Sequence, residues 1–156
     1  MQAKVAKQFT FHAAHRLPHH DGQCQRLHGH SYVLEVAVTG AVRAAPGESD
    51  EGMVLDFTIL KDIYKMEIEP FVEHQNLMET LAKEHADYPY WTECKNRGGP
   101  GGQSATERVP LTTCECLAGW MHTVVYNRLR DVPGPSDYKV KIKLWETPTS
   151  FAVVGG

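Results

Sequence analysis

The motif with the plainest chemistry is His28-Gly29-His30, two histidines two residues apart. On a β-strand, residues i and i+2 point to one face, so both imidazoles can reach one ion. A third histidine, His15, lies in an earlier apolar stretch, on the side that carries Phe9, Phe11 and Ala13. Three neutral imidazoles with a fourth position open make a catalytic zinc arrangement, whereas structural zinc sites are closed and favour thiolates. Taken singly, each would read as a loop or core histidine. A His-x-His pair on one strand plus a third histidine on its expected partner points to a metal. Histidine is also unusually dense here, with six of nine falling between His12 and His30.

Other reactive residues flank this motif. Cys24 precedes His28 by four residues. Beside a dication its thiol would be pushed toward thiolate, a base or nucleophile. It could equally be a fourth ligand that closes the site, and spacing does not separate the two. Glu73-His74 pairs a carboxylate with an imidazole, the makings of a proton relay or of an ordinary surface pair. Glu146 ends an apolar stretch, where it could grip a guanidine-like edge through paired hydrogen bonds or sit as a surface charge. His12 falls on the opposite strand face from His15, and His19 and His20 occupy a turn-like, solvated loop. His85, His122 and Cys94 have no partner pattern. Cys114-x-Cys116 opens a helix and could suggest a metal too, but positions two apart do not face each other, so ordinary packing is the better reading for at least one of them.

Several elements must position these groups. Val5 to Arg16 alternates as a strand, and His28 to Arg43 reads as a second, antiparallel to it. Leu17-Pro18 ends the first. A helix starts after Asp56 with the stripe Ile59, Leu60, Ile63, Tyr64 and Met66, and Pro70 is expected to end it. Thr112-Thr113-Cys114-Glu115 fits a Thr-x-x-Glu capping box for a second helix, whose apolar face is Leu117, Trp120, Met121, Val124, Val125 and Leu129. Pro133-Gly134-Pro135 would stop it. Lys139 to Trp145 and Phe151 to Val154 read as the last two strands. The order β-β-α-α-β-β predicts an α+β fold, a four-stranded antiparallel sheet with two helices on one face. The segment between Leu77 and Thr112, with its run Gly98-Gly99-Pro100-Gly101-Gly102, fits this plan poorly.

Composition narrows the function. At 156 residues the chain fits one domain, and 42% hydrophobic with 22% charged residues is ordinary for a globular protein. Sixteen basic against 19 acidic residues give a net charge of −3, so no basic excess exists to neutralise a nucleic-acid backbone. No apolar run approaches a membrane span, and Met1 to Gln8 has no apolar signal core. Four irregularly spaced cysteines make no disulfide framework. The expectation is a cytoplasmic protein with reduced thiols.

The motifs together resemble the 6-pyruvoyl-tetrahydropterin synthase / 6-carboxytetrahydropterin synthase family, which includes the enzyme of queuosine (7-deazapurine) biosynthesis. Phe11-x-Ala13-Ala14-His15-Arg16-Leu17-Pro18 is similar to its first motif and Cys24-x-x-x-His28-Gly29-His30-Ser31-Tyr32 to its second. Met53-Val54-Leu55-Asp56-Phe57-x-x-Leu60-Lys61 resembles the opening of its first helix. Glu73-His74-x-x-Leu77 falls where the family carries Asp-His-x-x-Leu-Asn. Thr113-x-Glu115 and Trp145-Glu146-Thr147 match its last two motifs, in order. The resemblance spans residues 5 to 154.

The resemblance implies the tunnelling fold (T-fold) and a homo-oligomer, a trimer or dimer of trimers, with pockets shared between subunits. It assigns zinc to His15, His28 and His30, proton abstraction to Cys24, and an acid/base relay to His74 with Glu73. Glu146 would anchor the pterin, helped by Thr113 and Glu115 of the adjoining subunit. The implied activity is that of a zinc-dependent lyase acting on 7,8-dihydroneopterin triphosphate, without nucleic acid or membrane partners. Arg16 and Arg26 are candidates for the triphosphate on charge and position alone. Two positions depart from the pattern: Glu73 is one methylene longer than the usual Asp, and Met78 replaces the usual Asn. Residues 80–104 look inserted into what is otherwise a single domain over 1–156. The three-residue gap between Cys24 and His28 resembles carboxy-forming members more than animal pyruvoyl-forming ones. A non-catalytic zinc- or pterin-binding module is the rival of another class, against which Cys24, His74 and Glu146 argue. A cupin oxygenase also uses His-x-His, but no matching carboxylate and later histidine motif follows.

Overall fold

The computed structural model describes residues 1–95, 106–132 and 137–156. Its strands are β1 (Gln2–His15), β2 (His28–Ala41), β3 (Gln75–Asn76), β4 (Trp91–Lys95), β5 (Thr106–Pro110), β6 (Lys139–Thr147) and β7 (Ser150–Gly155). Its α-helices are α1 (Phe57–Ile63), α2 (Glu69–Val72), α3 (Leu77–Glu84) and α4 (Cys114–Arg130). The main sheet has the order β3-β1-β2-β6-β7, and β4 and β5 form a separate hairpin. The α+β class and the four long antiparallel strands agree with the alternation in the sequence. Two features differ from the expected plan. The two-residue β3 adds a fifth strand, parallel to β1 at Ala13 and Ala14. The segment after Leu77 folds into α3 and the hairpin.

Period-2 patterning builds the core. Phe11, Ala13, Tyr32, Leu34, Val36, Val38, Val140, Ile142 and Leu144 all turn to one sheet face and are buried. Leu117, Trp120, Met121, Val125 and Leu129 of α4 cover that face, with Leu60 and Ile63 of α1 in the same cluster. Burying a side chain such as Leu or Ile contributes about 1.5–3 kcal/mol, so this layer holds the strands in register. That register sets His15 directly opposite His28 and Ala13 opposite His30.

Three local expectations are corrected. Pro70 does not end the first helix. The backbone passes through a π-helical turn, Tyr64–Ile68, and Pro70 sits in the first turn of α2, where its missing N–H would be unpaired anyway. The start of α4 lies one residue later than expected: Thr113, not Thr112, is the N-cap and accepts from the Cys116 N–H at 3.3 Å. Glu115 therefore falls too early for a capping box, which places the acidic residue three after the cap. Short α3 escaped notice because only Leu77, Met78 and Leu81 are buried on it. The Gly98–Gly102 run and the Pro133-Gly134-Pro135 stop lie outside the described residues.

Candidate metal centre and active site

Strand parity brings the three predicted imidazoles together. His15, His28 and His30 share the inner sheet face, with ring centroids 4.7 Å apart for His15–His28, 5.1 Å for His15–His30 and 4.9 Å for His28–His30. One donor atom from each lies within 4.8 Å of the others. Donors on one tetrahedral zinc stand roughly 3.4 Å apart, a spacing that small side-chain rotations reach from here.

The tautomers suit a metal. His15 Nδ1 lies 2.8 Å from the Thr112 carbonyl, and His28 Nδ1 lies 2.7 Å from the Arg26 carbonyl. A carbonyl only accepts, so both rings carry their proton on Nδ1 and leave Nε2 with a free lone pair. Backbone partners of this kind fix the orientation of metal-binding histidines. His28 Nε2 is buried and has no hydrogen-bond partner among the described residues. An orphaned buried nitrogen costs about 1–3 kcal/mol, and a cation at the centre removes that cost. Burial above all, with His28 and His30 adding to it against the Thr112 carbonyl, lowers the His15 pKa from 6.5 to about 4. Burial also lowers that of His30, against the pull of Glu146. Neutral imidazoles are what a metal needs. The residues therefore fit zinc.

Glu146 stands over this centre. It continues the inner face of β6 beyond Val140, Ile142 and Leu144, and its Oε1 lies 3.6 Å from His15 Nε2 and 3.9 Å from His30 Nε2. Burial, then the Glu146 charge, raises the pKa of Tyr32, whose protonated hydroxyl sits 3.5 Å from the His15 ring nitrogens.

A second cluster lies on the opposite sheet face. His12 Nδ1 is 3.7 Å and His74 Nε2 is 3.3 Å from the same Glu73 oxygen, Oε1. The other oxygen, Oε2, accepts from the His12 backbone N–H at 2.9 Å. That bond is the main reason the Glu73 carboxyl is held below its usual pKa. The extra methylene of Glu73 thus does not part it from His74. His74 has φ +56°, a left-handed conformation that few non-glycine residues adopt. Its N–H donates to the His12 carbonyl at 2.7 Å. A cavity of about 480 Å³ is lined by His30 of the first cluster and by His12, Gly29, Ser31 and His74.

Comparison with known proteins fits this geometry. Residues 4–156 match the family model for 6-pyruvoyl tetrahydropterin synthase. The chain belongs to that family. It is 35% identical over 149 residues to a 6-carboxy-5,6,7,8-tetrahydropterin synthase of Haemophilus influenzae, covering 95% of each chain. It is 32% identical over 148 residues to one of Synechocystis, covering 95% of this chain and 89% of that protein. The fold is shared with the 6-pyruvoyl tetrahydropterin synthase of Caenorhabditis elegans, at a TM-score of 0.64 and 24% identity over 100% of this chain and 96% of that one. The same holds for that of Plasmodium falciparum, at 0.63 and 20% over 99% and 98%.

The remaining family positions are spread around these clusters. Cys24 sits half-buried in a 3-10 turn, Gln23–Gln25, and its carbonyl accepts from the Leu17 N–H at 2.8 Å. Among the described residues, neither cluster includes Cys24. The Thr113 hydroxyl caps α4, and Glu115 is exposed in its first turn. Met78 is buried in α3. Arg16 lines another cavity, of about 470 Å³, with Arg108 and the oppositely charged Glu79 and Glu107.

Residues read as bland mostly are. His122 holds the Val140 carbonyl at 3.2 Å, and His85 pairs with Asp87. The Cys114 thiol donates to the Leu144 carbonyl, and burial pushes its pKa up to about 11. His19 does more than expected: its Nε2 reaches the Glu93 carbonyl at 2.7 Å and ties the Cys24 loop to the hairpin. Sequence reasoning also missed the Thr112 carbonyl, Tyr32 as a neighbour of the centre, and His12 beside Glu73. Alternation placed Tyr32 on the face of His28 and His30 and so could have found it. Nothing local pointed to Thr112 or to the pairing of His12 with Glu73.

Proposed function

We propose that this protein is a zinc-dependent 6-carboxy-5,6,7,8-tetrahydropterin synthase, a lyase of the queuosine (7-deazapurine) route. It would convert 7,8-dihydroneopterin triphosphate and water to 6-carboxytetrahydropterin, acetaldehyde and triphosphate. The observation that carries this reading is the trio of imidazoles around the orphaned His28 Nε2, with a cavity lined by both His30 and His74. The carboxy-forming branch is favoured by the relatives at 30% identity and above and by the three-residue Cys24–His28 gap.

In this reading His15, His28 and His30 hold the metal. Bound there, zinc supplies Lewis acidity that stabilises negative charge developing on the substrate's side-chain oxygens. Glu146 accepts hydrogen bonds from the amino and ring N–H donors of the pterin. The Thr113 hydroxyl, already accepting from Cys116, keeps its proton free to donate to substrate. Cys24 takes a side-chain proton, and the exclusion of its sulfur from the imidazole cluster favours a base over a fourth ligand. His74, oriented by Glu73, moves a proton on the other side of that chain. Triphosphate then leaves by elimination, and cleavage of the side-chain carbon–carbon bond frees acetaldehyde.

The chain works as one domain in this reading, with residues 80–104 as an insertion, in a cytoplasmic homo-oligomer. Two features support subunit association. β1 meets β3 only at Ala13 and Ala14, and β7 ends the sheet on the other side. Long sheet edges are ready-made templates for pairing with another chain. Exposed Glu115 would complete a neighbour's site.

The test is triphosphate release from 7,8-dihydroneopterin triphosphate. Zinc-loaded protein should release it and the His28→Ala, His30→Ala double variant should not. Equal release by both would refute the proposal.

A further inference from the structure

His12, Glu73 and His74 form a cluster that the proposed reaction uses only in part, since it needs no His12 side chain. We propose that these three side chains are a second, lower-affinity site for zinc or a similar divalent cation, and that its occupation switches off His74. The inference goes beyond the proposed function and rests on it only for the role of His74.

The donor set is two imidazoles and one carboxylate, the combination found in His₂Glu zinc sites that keep a position open. Two of the separations are already close to those on one ion. Donors bound to a single tetrahedral zinc stand roughly 3.4 Å apart, and here Glu73 Oε1 is 3.3 Å from His74 Nε2 and 3.7 Å from His12 Nδ1. All three donor atoms lie within 4.8 Å of one another. The carboxylate presents its free oxygen to both rings because Oε2 is held by the His12 backbone. The two histidine backbones are themselves tied through the bond from His74 N to His12 O. Little ordering remains to be done when a cation arrives.

The site differs from the first in exposure. The His12 and His74 side chains are 55% and 78% exposed, whereas that of His15 is 1% exposed. Water competes there, so the affinity is lower and occupancy follows free cation. A cation on His74 Nε2 takes the lone pair that a proton relay needs. Excess zinc should therefore inhibit, through a site separate from the centre that activates.

The experiment is a zinc titration of metal-stripped protein against a chromophoric chelator, with circular dichroism to check folding. Wild type should bind two equivalents per chain, one tight and one weak. His12→Gln and His12→Ala, both on an exposed strand position, should keep the tight equivalent. They should weaken the other by more than the ~10–100-fold that loss of an outer-shell partner costs. Zinc beyond one equivalent should inhibit wild-type turnover and not that of His12→Gln. Absence of a weak class in wild type, or a weak class unchanged in both His12 variants, overturns the second site. The His28→Ala, His30→Ala variant separates the two readings, because it should lose the tight class and keep the weak one. A tight class that survives that variant removes the first centre while leaving the second site standing.

Discussion

Metal-free protein should lose stability in mild acid because of His15. In the unfolded chain this imidazole titrates at the ordinary 6.5, and in the fold at about 4. Below pH 6.5 the unfolded chain takes up a proton that native His15 refuses. The stabilisation is therefore complete above pH 6.5 and is lost as pH falls toward 4. Each unit of pKa is worth about 1.4 kcal/mol, so the gap amounts to at most about 3.5 kcal/mol, of which about 2 kcal/mol is gone by pH 5. Solvent screening takes little from this, as the side chain is 1% exposed. Glu146, 3.6 Å away, pulls in the other direction by favouring the cation. Burial is the larger effect because Nδ1 already donates to Thr112 and the ring is enclosed by His28, His30 and Tyr32. The assay is urea unfolding of chelator-treated protein at pH 7.5 and pH 5, at one protein concentration, for wild type and His15→Asn. Asn can still donate to Thr112 and does not titrate, and the carboxylates common to both proteins cancel. Wild type should lose about 2 kcal/mol more than the variant over that interval. Parallel losses would refute the burial argument. A smaller loss in wild type would mean that Glu146 holds His15 as a cation.

Three further outcomes follow from the same geometry. Cys24→Ala should keep its zinc, read by metal analysis, and lose turnover by the ~10²–10⁴-fold that a general base contributes; loss of the metal instead would make Cys24 a ligand. Glu146→Ala should keep zinc and weaken pterin binding by at least ~10-fold, since hydrogen bonds to a charged group are worth about 1.5–3 kcal/mol; unchanged affinity by calorimetry would make Glu146 a bystander. Leu34→Ala, at a position with no exposed surface in the middle of the sheet, should cost about 2–5 kcal/mol in urea unfolding; a loss under 1 kcal/mol would contradict the packing described.

Much of the site was legible because strand alternation is strict. A period of two puts His28 and His30 on one face and His15 opposite them once β1 and β2 pair, and it puts Glu146 on the same face through Ile142 and Leu144. The groups that set their tautomers were not legible. Thr112 accepts through its backbone carbonyl from 97 positions beyond His15, and a carbonyl leaves no mark on residue type. His12 was read on its own strand, where parity separates it from His15. Its real partners, Glu73 and His74, arrive with a turn whose left-handed residue is not a glycine. Pro70 misled because the π-helical turn before it reset the helix, so a residue that stops a regular helix instead begins a new segment. The hairpin and α3 fell in a stretch of mixed composition without a sustained period. The hairpin's role in bracing the Cys24 loop through His19 depends on a backbone carbonyl as well.

In the proposed reaction this centre drives cleavage of a pterin triphosphate side chain with loss of two carbons. This is tested most directly by identifying the products of 7,8-dihydroneopterin triphosphate after incubation with zinc-loaded protein. The expected products are 6-carboxytetrahydropterin and an equal amount of acetaldehyde, each absent from the Cys24→Ala reaction. A pterin that keeps its three-carbon side chain, with no acetaldehyde formed, would contradict it and assign the chain to the pyruvoyl-forming branch.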